Sequence, residues 1–253
     1  MILDKFNLKG KTALVTGSSR GLGAGIALAL AEAGADVAVH GSASVPEATR
    51  ELVSKTGART TALVGDVGDA AVCAYLVAET IKELGKLDIL VNNAGTIRRS
   101  PAVDHSEEDW QTIIDVNLSS VFRLTQHAGR HMLPRGSGKI INIASLLTFQ
   151  GGITVPSYAA AKGGVGQLTK AFANEWAAKG VNVNAIAPGY MATDNTEALQ
   201  KNPERARQIM ERIPAGRWGT PEDLAGAAVF LASSASDYVH GQIVVVDGGW
   251  LNR

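Results

Sequence analysis

At 253 residues the chain has room for one large core or two small ones, and we read it as a single α/β domain over 1–253. Its 24 lysines and arginines balance 24 aspartates and glutamates, which leaves no basic field for nucleic acid, and its one cysteine, Cys73, supplies neither a disulfide framework nor a thiolate metal cluster. No apolar run approaches the ~20 residues of a membrane span, and Met1 to Phe6 lacks the basic and apolar stretches of a secretion signal, so a soluble, cytoplasmic protein without nucleic-acid, membrane or metal partners is expected.

Thr12 to Thr16 is a short apolar, β-branched run, followed by Gly17-Ser18-Ser19-Arg20-Gly21-Leu22-Gly23 and an alanine-rich pattern from Ala24 to Ala33. This reads as strand, tight turn and helix, and the free amides of the helix start suit a pyrophosphate. A plain glycine-rich turn is the alternative, because the spacing is Gly-x-x-x-Gly-x-Gly. Asp36 to His40 is a second strand. An acid at its end would accept both ribose hydroxyls of NAD and repel the 2′-phosphate of NADP. Gly41 and Ser42 stand there instead, and with Arg20 in the turn either cofactor is admitted.

Glu47 to Thr56 reads as helix and Thr60 to Val64 as the third strand, with Asp66 and Val67 where an adenine ring would end. Asp66 either accepts the adenine amino group or caps the helix from Asp69 to Leu84. Asp88 to Val91 is the fourth strand and runs into Asn92-Asn93-Ala94-Gly95, suited to a backbone held by side-chain hydrogen bonds beside a ligand. Glu107 to Met132 is a helix pair or one bent helix around Asn117, which either binds a water there or is a buried capping amide. His127 and His131 have metal spacing but no third ligand, and are expected to face solvent or a subunit contact.

Lys139 to Ala144 is the fifth strand, with Ser145 at its end. Tyr158 to Ala178 is a helix, Val181 to Ala187 the sixth strand, Pro188-Gly189 a break, and Tyr190 to Pro203 an irregular loop within a substrate region of about 189–215. Pro221 to Leu231 is a helix and Gln242 to Val246 the last strand. Strands alternating with helices imply a Rossmann-type, doubly wound parallel sheet of about seven strands with helices on both faces, and ligands at the strands' carboxyl ends.

Tyr158 and Lys162 are four apart, on one face of their helix. A positive charge ~5 Å away at an effective dielectric of ~20 favours a phenolate by about 3 kcal/mol, enough to make Tyr158 a general acid/base near neutral pH. Taken alone the pair is compatible with an ordinary alanine-rich helix surface. Ser145 could steady a substrate oxygen.

Thr16-Gly17-x-x-x-Gly21-x-Gly23, Asn92-Asn93-Ala94-Gly95, the ordered set Asn117, Ser145, Tyr158 and Lys162, and Pro188-Gly189 with Thr193 together resemble the short-chain dehydrogenase/reductase family over essentially the whole chain. The resemblance implies that Tyr158 is the general acid/base, that Ser145 binds the substrate oxygen, and that Lys162 tunes Tyr158 and holds the nicotinamide ribose. It implies a proton-relaying water on Asn117 and a cofactor seat from Gly17, Ser19, Arg20, Gly21, Leu22, Gly23, Ser42, Asp66, Val67, Asn93, Ala94, Gly95, Pro188, Gly189 and Thr193.

Within the family, Ile97-Arg98-Arg99, Phe149-Gln150-Gly151-Gly152, Gly189-Tyr190-Met191-Ala192-Thr193, Arg212 to Gly219 and Val246 to Leu251 are similar to sugar-acid dehydrogenases of uronate breakdown, which favours NAD. Arg98 or Arg99 suits a carboxylate, with a subunit contact as the alternative, and Gln150 and Tyr190 suit sugar hydroxyls. The expectation is an NAD(P)-dependent oxidoreductase of a sugar acid, acting as a homotetramer. A gluconate dehydrogenase, a reductase of carrier-protein thioesters and a non-catalytic dinucleotide sensor are the competing readings.

Overall fold

The computed structural model describes residues 1–253, the side chain of Asn195 excepted. Seven strands, β1 (Thr12–Val15), β2 (Asp36–Gly41), β3 (Thr60–Val64), β4 (Ile89–Asn92), β5 (Gly138–Ile143), β6 (Val181–Pro188) and β7 (Ile243–Val246), form one parallel sheet in the order β3-β2-β1-β4-β5-β6-β7. The helices are α1 (Gly21–Glu32), α2 (Glu47–Lys55), α3 (Ala70–Leu84), α4 (Glu107–Ile114), α5 (Ser120–Met132), α6 (Pro156–Trp176), α7 (Glu197–Gln200), α8 (Pro203–Arg212) and α9 (Pro221–Ala232). None is long and apolar enough to cross a membrane among the described residues.

The strands are mostly apolar because helices cover both faces, with Asn142, Asn182 and Asn184 buried among the apolar side chains. Alternate residues point to opposite sides. Ala13 and Val15 join Val37, Val39, Ile89, Val91, Ile141 and Ile186 against Ile26 and Leu30 of α1 and Leu224 and Leu231 of α9. Leu14 joins Ala38, Leu90, Ile140 and Val183 on the other side, against Leu76 of α3, Leu124 and Met132 of α5 and Trp176 of α6. After β3 the chain returns past β1 to place β4 on its far side. The crevice at the carboxyl ends of β1 and β4 is therefore the point from which the two halves of the sheet diverge, where such sheets bind ligands.

The expected bend between residues 107 and 132 is a π-turn over Asp115–Ser119, closed by the Ser120 amide donating to the Asp115 carbonyl, and Asn117 lies inside it. The loop expected from Tyr190 to Pro203 is instead partly ordered, with a turn at Asp194–Thr196 and α7, and α8 follows inside the 189–215 region. The helix α8 escapes a search for apolar periodicity because Ile209 is its one buried side chain. Local polar chemistry supports it: Asn202 accepts from the Arg205 amide, and Arg207 pairs with Glu204 at 2.8 Å and Glu211 at 2.6 Å.

At the sheet's amino end, Asp88 is 4% exposed and accepts from Arg135 at 2.5 Å, Lys86 at 3.0 Å and the Thr12 amide at 3.0 Å. Burial alone would raise its carboxyl, but Arg135, Lys86 and the amide hold it below the ordinary 3.8. His131, partly exposed, accepts from the Leu87 amide at 3.3 Å at this same end. A carboxylate whose folded pKa is depressed adds stability above its unfolded pKa and loses it as the pH falls through the folded value. Asp88→Asn is expected to lose about 1–3 kcal/mol of unfolding free energy at pH 7. Urea unfolding should show the gap to wild type closing on acidification below the ordinary carboxylate range.

Candidate active site

The chain leaves β1 through Gly17, whose φ of +61° and whose absent Cβ, which would lie 2.7 Å from Ala94 Cα, together demand glycine. A Cβ on Gly23 would lie 2.4 Å from both Asn93 Nδ2 and the Gly17 carbonyl. Side chain and backbone thus pack into a turn that keeps the first amides of α1 at the crevice without a side-chain cap. The turn is tied to β4. Asn93 Nδ2 donates to the carbonyls of Thr16 (2.8 Å) and Gly17 (2.9 Å), and Thr16 Oγ1 accepts from the amides of Asn93 and Ala94, both at 3.1 Å.

A cleft of about 670 Å³ opens along the carboxyl edge. Its lining includes Gly17, Ser19, Arg20, Gly21, Leu22 and Gly23, then Ser42, Asp66 and Val67, then Asn93, Ala94 and Gly95, and finally Ser145, Tyr158, Lys162, Pro188, Gly189 and Thr193. Every residue expected to seat the dinucleotide therefore borders one cavity. A depression of about 620 Å³ at the start of β3, lined by Arg50, Lys55 and Arg59, gathers no comparable set. Asp66 is not the cap of α3: Asp69 accepts from the Ala71 amide, while Asp66 Oδ1 accepts from Gly68 and the side chain is exposed at the cleft. Arg20 reaches across the mouth to Asp194, Nε to Oδ2 2.8 Å.

At the other end, α6 presents Tyr158 and Lys162 one turn apart, with Lys162 Nζ 5.7 Å from the centre of the phenol ring. Tyr158 hydrogen-bonds Ser145, whose Oγ also accepts from the Leu147 amide at 3.1 Å. Lys162 is 4% exposed and donates to the Ile143 carbonyl at 2.6 Å. The charge balance differs from the isolated-pair expectation. Burial pushes the Tyr158 phenol up, opposed by Ser145 and by the charge of Arg99, and burial brings Lys162 down to about 8. The phenol is accordingly held protonated, ready to donate.

Asn117 is fully buried: its Nδ2 donates to the Thr96 carbonyl at 2.7 Å and its Oδ1 accepts from the Thr96 amide at 2.8 Å. Arg98 borders the cleft and lies 3.4 Å from Asp109, while Arg99 exerts its field on Tyr158. Gln150 and Tyr190 do not border the cleft. Tyr190 stacks its ring 4.6 Å from Trp250 and 5.7 Å edge-on from Trp218, in an apolar cluster with Ile209 and Ile213 beneath α8.

By sequence His40 is only a strand residue. It is buried, its Nδ1 accepts from the Gly17 amide at 3.0 Å, and its Nε2 donates to the Gly65 carbonyl at 2.8 Å, so the imidazole is neutral and fixed in one tautomer. Desolvation, only partly offset by Gly65 and Asp66, lowers its pKa. A titratable residue ending a buried strand was the available signal.

The profile described as Enoyl-(Acyl carrier protein) reductase matches residues 17–251. The chain is 56% identical to a 2-dehydro-3-deoxy-D-gluconate 5-dehydrogenase of Bacillus subtilis, over 99% of this chain and 98% of that protein. It is 54% identical to a protein of the same name from Dickeya dadantii, over 100% of both. Among solved structures, one from Agrobacterium tumefaciens, described as a 2-deoxy-D-gluconate 3-dehydrogenase with bound NADP, superposes with a TM-score of 0.89 at 52% identity, covering 99% of this chain and 100% of that one.

A lysine lowered from 10.5 to about 8 carries a cost of about 3 kcal/mol. Between those values the unfolded lysine keeps its proton and the folded one releases it, so stability rises with pH across that window. Wild type should gain unfolding free energy relative to Lys162→Met as the pH is raised from 8 to 10 in urea titrations. Parallel curves would show that Lys162 is not charged against its surroundings.

Proposed function

The chain belongs to the short-chain dehydrogenase/reductase family, and on that premise we propose that it interconverts a ketone and a secondary alcohol of a sugar acid, most specifically at C5 of 2-dehydro-3-deoxy-D-gluconate. The observation that carries the reading is the meeting of Ser145, Tyr158 and Lys162 at one end of a cleft whose other end is an uncapped, glycine-lined helix start. Those features fit a nicotinamide dinucleotide: amides for a pyrophosphate, no side chain at Gly17 or Gly23, and Asp66 exposed at the far end. When bound, the cofactor supplies or accepts the hydride. NADP is our choice over NAD, because β2 ends at Gly41 and Ser42 without a carboxylate and Arg20 lies exposed at the cleft mouth.

The protein's own residues then handle the proton and the orientation. Ser145 and Tyr158 both address the carbonyl oxygen, and Tyr158 passes its proton to that oxygen as the carbon is reduced; in the other direction it takes the hydroxyl proton. Lys162, below a pH of about 8, places a positive charge beneath the phenol and favours the phenolate left behind. Asn117 spends its side-chain amide on Thr96, so a proton-relaying water beside Lys162 would be held by the backbone of the π-turn. Arg99, near enough to act electrostatically on Tyr158, takes the substrate carboxylate, with Arg98 beside it. A buried, unreactive Cys73, its thiol pushed up to about 11 by burial, accords with a cytoplasmic setting.

Reduction of 3-deoxy-2,5-diketo-gluconate is expected in initial-rate absorbance at 340 nm, faster with NADPH than NADH, and about 10²–10⁴-fold slower in Tyr158→Phe. Activity confined to 5-ketogluconate or an acetoacetyl thioester would overturn the substrate and leave the chemistry. No turnover with tight NADPH binding would favour a sensor.

We also propose a homotetramer. Trp110 of α4 and Phe122 of α5, 39% and 42% exposed, and Val245 of the edge strand β7, 39% exposed, give apolar surface for the contacts. Light scattering should give four times the 26.4 kDa chain mass, and a monomer would refute the assembly.

A further inference from the structure

Arg98 and Arg99 sit in an arch of three residues, 97–99, strung between two anchors. At one end Asn117 holds both the amide and the carbonyl of Thr96. At the other end Ser100 is held twice. Its amide donates to the Thr154 carbonyl at 3.0 Å, and its hydroxyl lies 2.8 Å from His105 Nδ1. The other imidazole nitrogen, Nε2, lies 2.8 Å from the hydroxyl of Ser157, which is fully buried in the first turn of α6 and immediately precedes Tyr158.

The circuit crosses strained backbone. Thr154 has φ +62° and is the one non-glycine residue at positive φ among the described residues. A β-branched side chain rarely adopts that conformation, and it persists only where its surroundings impose it. Here the imposition includes the Ser100 amide on the Thr154 carbonyl. A neutral imidazole offers one donor and one acceptor, and the two hydroxyls can each rotate to match, so His105 satisfies both contacts in either tautomer.

We infer that His105 is a positioning residue, clamping the 97–99 arch to the start of α6 so that Arg99 is presented at a set distance from Tyr158 and selects acidic substrates. The inference rests on the reading of Arg99 as the carboxylate grip proposed above. His105 does not line the cleft; it acts through Ser100 and Ser157.

The test uses the full chain with NADPH and the diketo acid, comparing Arg99→Ala, His105→Ala, His105→Gln and the Arg99→Ala/His105→Ala double variant. Arg99→Ala should raise KM for the acid about tenfold or more. His105→Ala should raise it about fivefold or more while kcat changes less than about threefold and the NADPH dissociation constant, read by fluorescence, stays within about twofold. His105→Gln should recover much of the loss. The double variant should be no worse than Arg99→Ala, because both remove the same presentation. Amide hydrogen exchange at residues 97–101 should quicken about tenfold in His105→Ala with α6 unchanged.

Unaltered exchange in His105→Ala overturns the clamp, and so does a multiplicative double variant or an equal loss of NADPH affinity. An unaltered KM in Arg99→Ala overturns the carboxylate reading itself, and with it the acid-selecting role of His105, while the exchange result still decides whether the clamp exists.

Discussion

The carboxyl ends of the neighbouring parallel strands β1 and β4 are held by one short cluster of polar groups. Asn93 donates to the carbonyls of Thr16 and Gly17, and Thr16 Oγ1 accepts in return from Asn93 and Ala94 while donating to Val91. Two strand ends that diverge into separate halves of the sheet are thereby fixed side by side. The glycine turn, the start of α1 and the Asn93–Gly95 wall of the cleft all depend on that fixation. His40 adds a third strand to the arrangement by bridging Gly17 to Gly65. Because all these groups are buried or nearly so, leaving any one unpaired carries the full cost of a desolvated donor or acceptor.

The reacting end is built on a different principle, in which burial sets charge. Lys162 is enclosed by protein and gives up part of its basicity, while its ammonium is kept in place by the Ile143 carbonyl. Tyr158 is held neutral by the same exclusion of water, with Ser145 and Arg99 pulling the other way. The surroundings push the two groups apart in proton affinity, the phenol up and the ammonium down, which leaves the phenol as the proton donor beside a charge partner. The stability lost in burying the lysine is located where the chemistry needs it.

Some of this was legible from residue order. Strands β1 to β6 announce themselves because parallel strands are apolar on both faces, and α6 places Tyr158 and Lys162 together through helical period alone. The helix α8 was not legible, since a polar helix with Ile209 as its one buried side chain has no stripe to detect. The sign of the shift at Tyr158 was not legible either. A pair read in isolation has attraction but no desolvation, and desolvation is the larger effect. The packing of Tyr190 with Trp218 and Trp250 was not legible, a partnership that only the fold assembles.

By itself the sequence determined the class of sheet, the glycine turn after the first strand, the spacing of Tyr158 and Lys162 and the absence of an acid after the second strand, because each is a local property of period, chirality or residue type. The tertiary structure alone decided which polar groups meet. His40 bonds residues 23 and 25 positions away, His105 reaches Ser157 across 52, and Asn93 reaches Gly17 across 76. It also separated Arg98, drawn toward Asp109, from Arg99, which acts on Tyr158. Contacts across such separations follow from the packing of the whole sheet, and no local pattern encodes them.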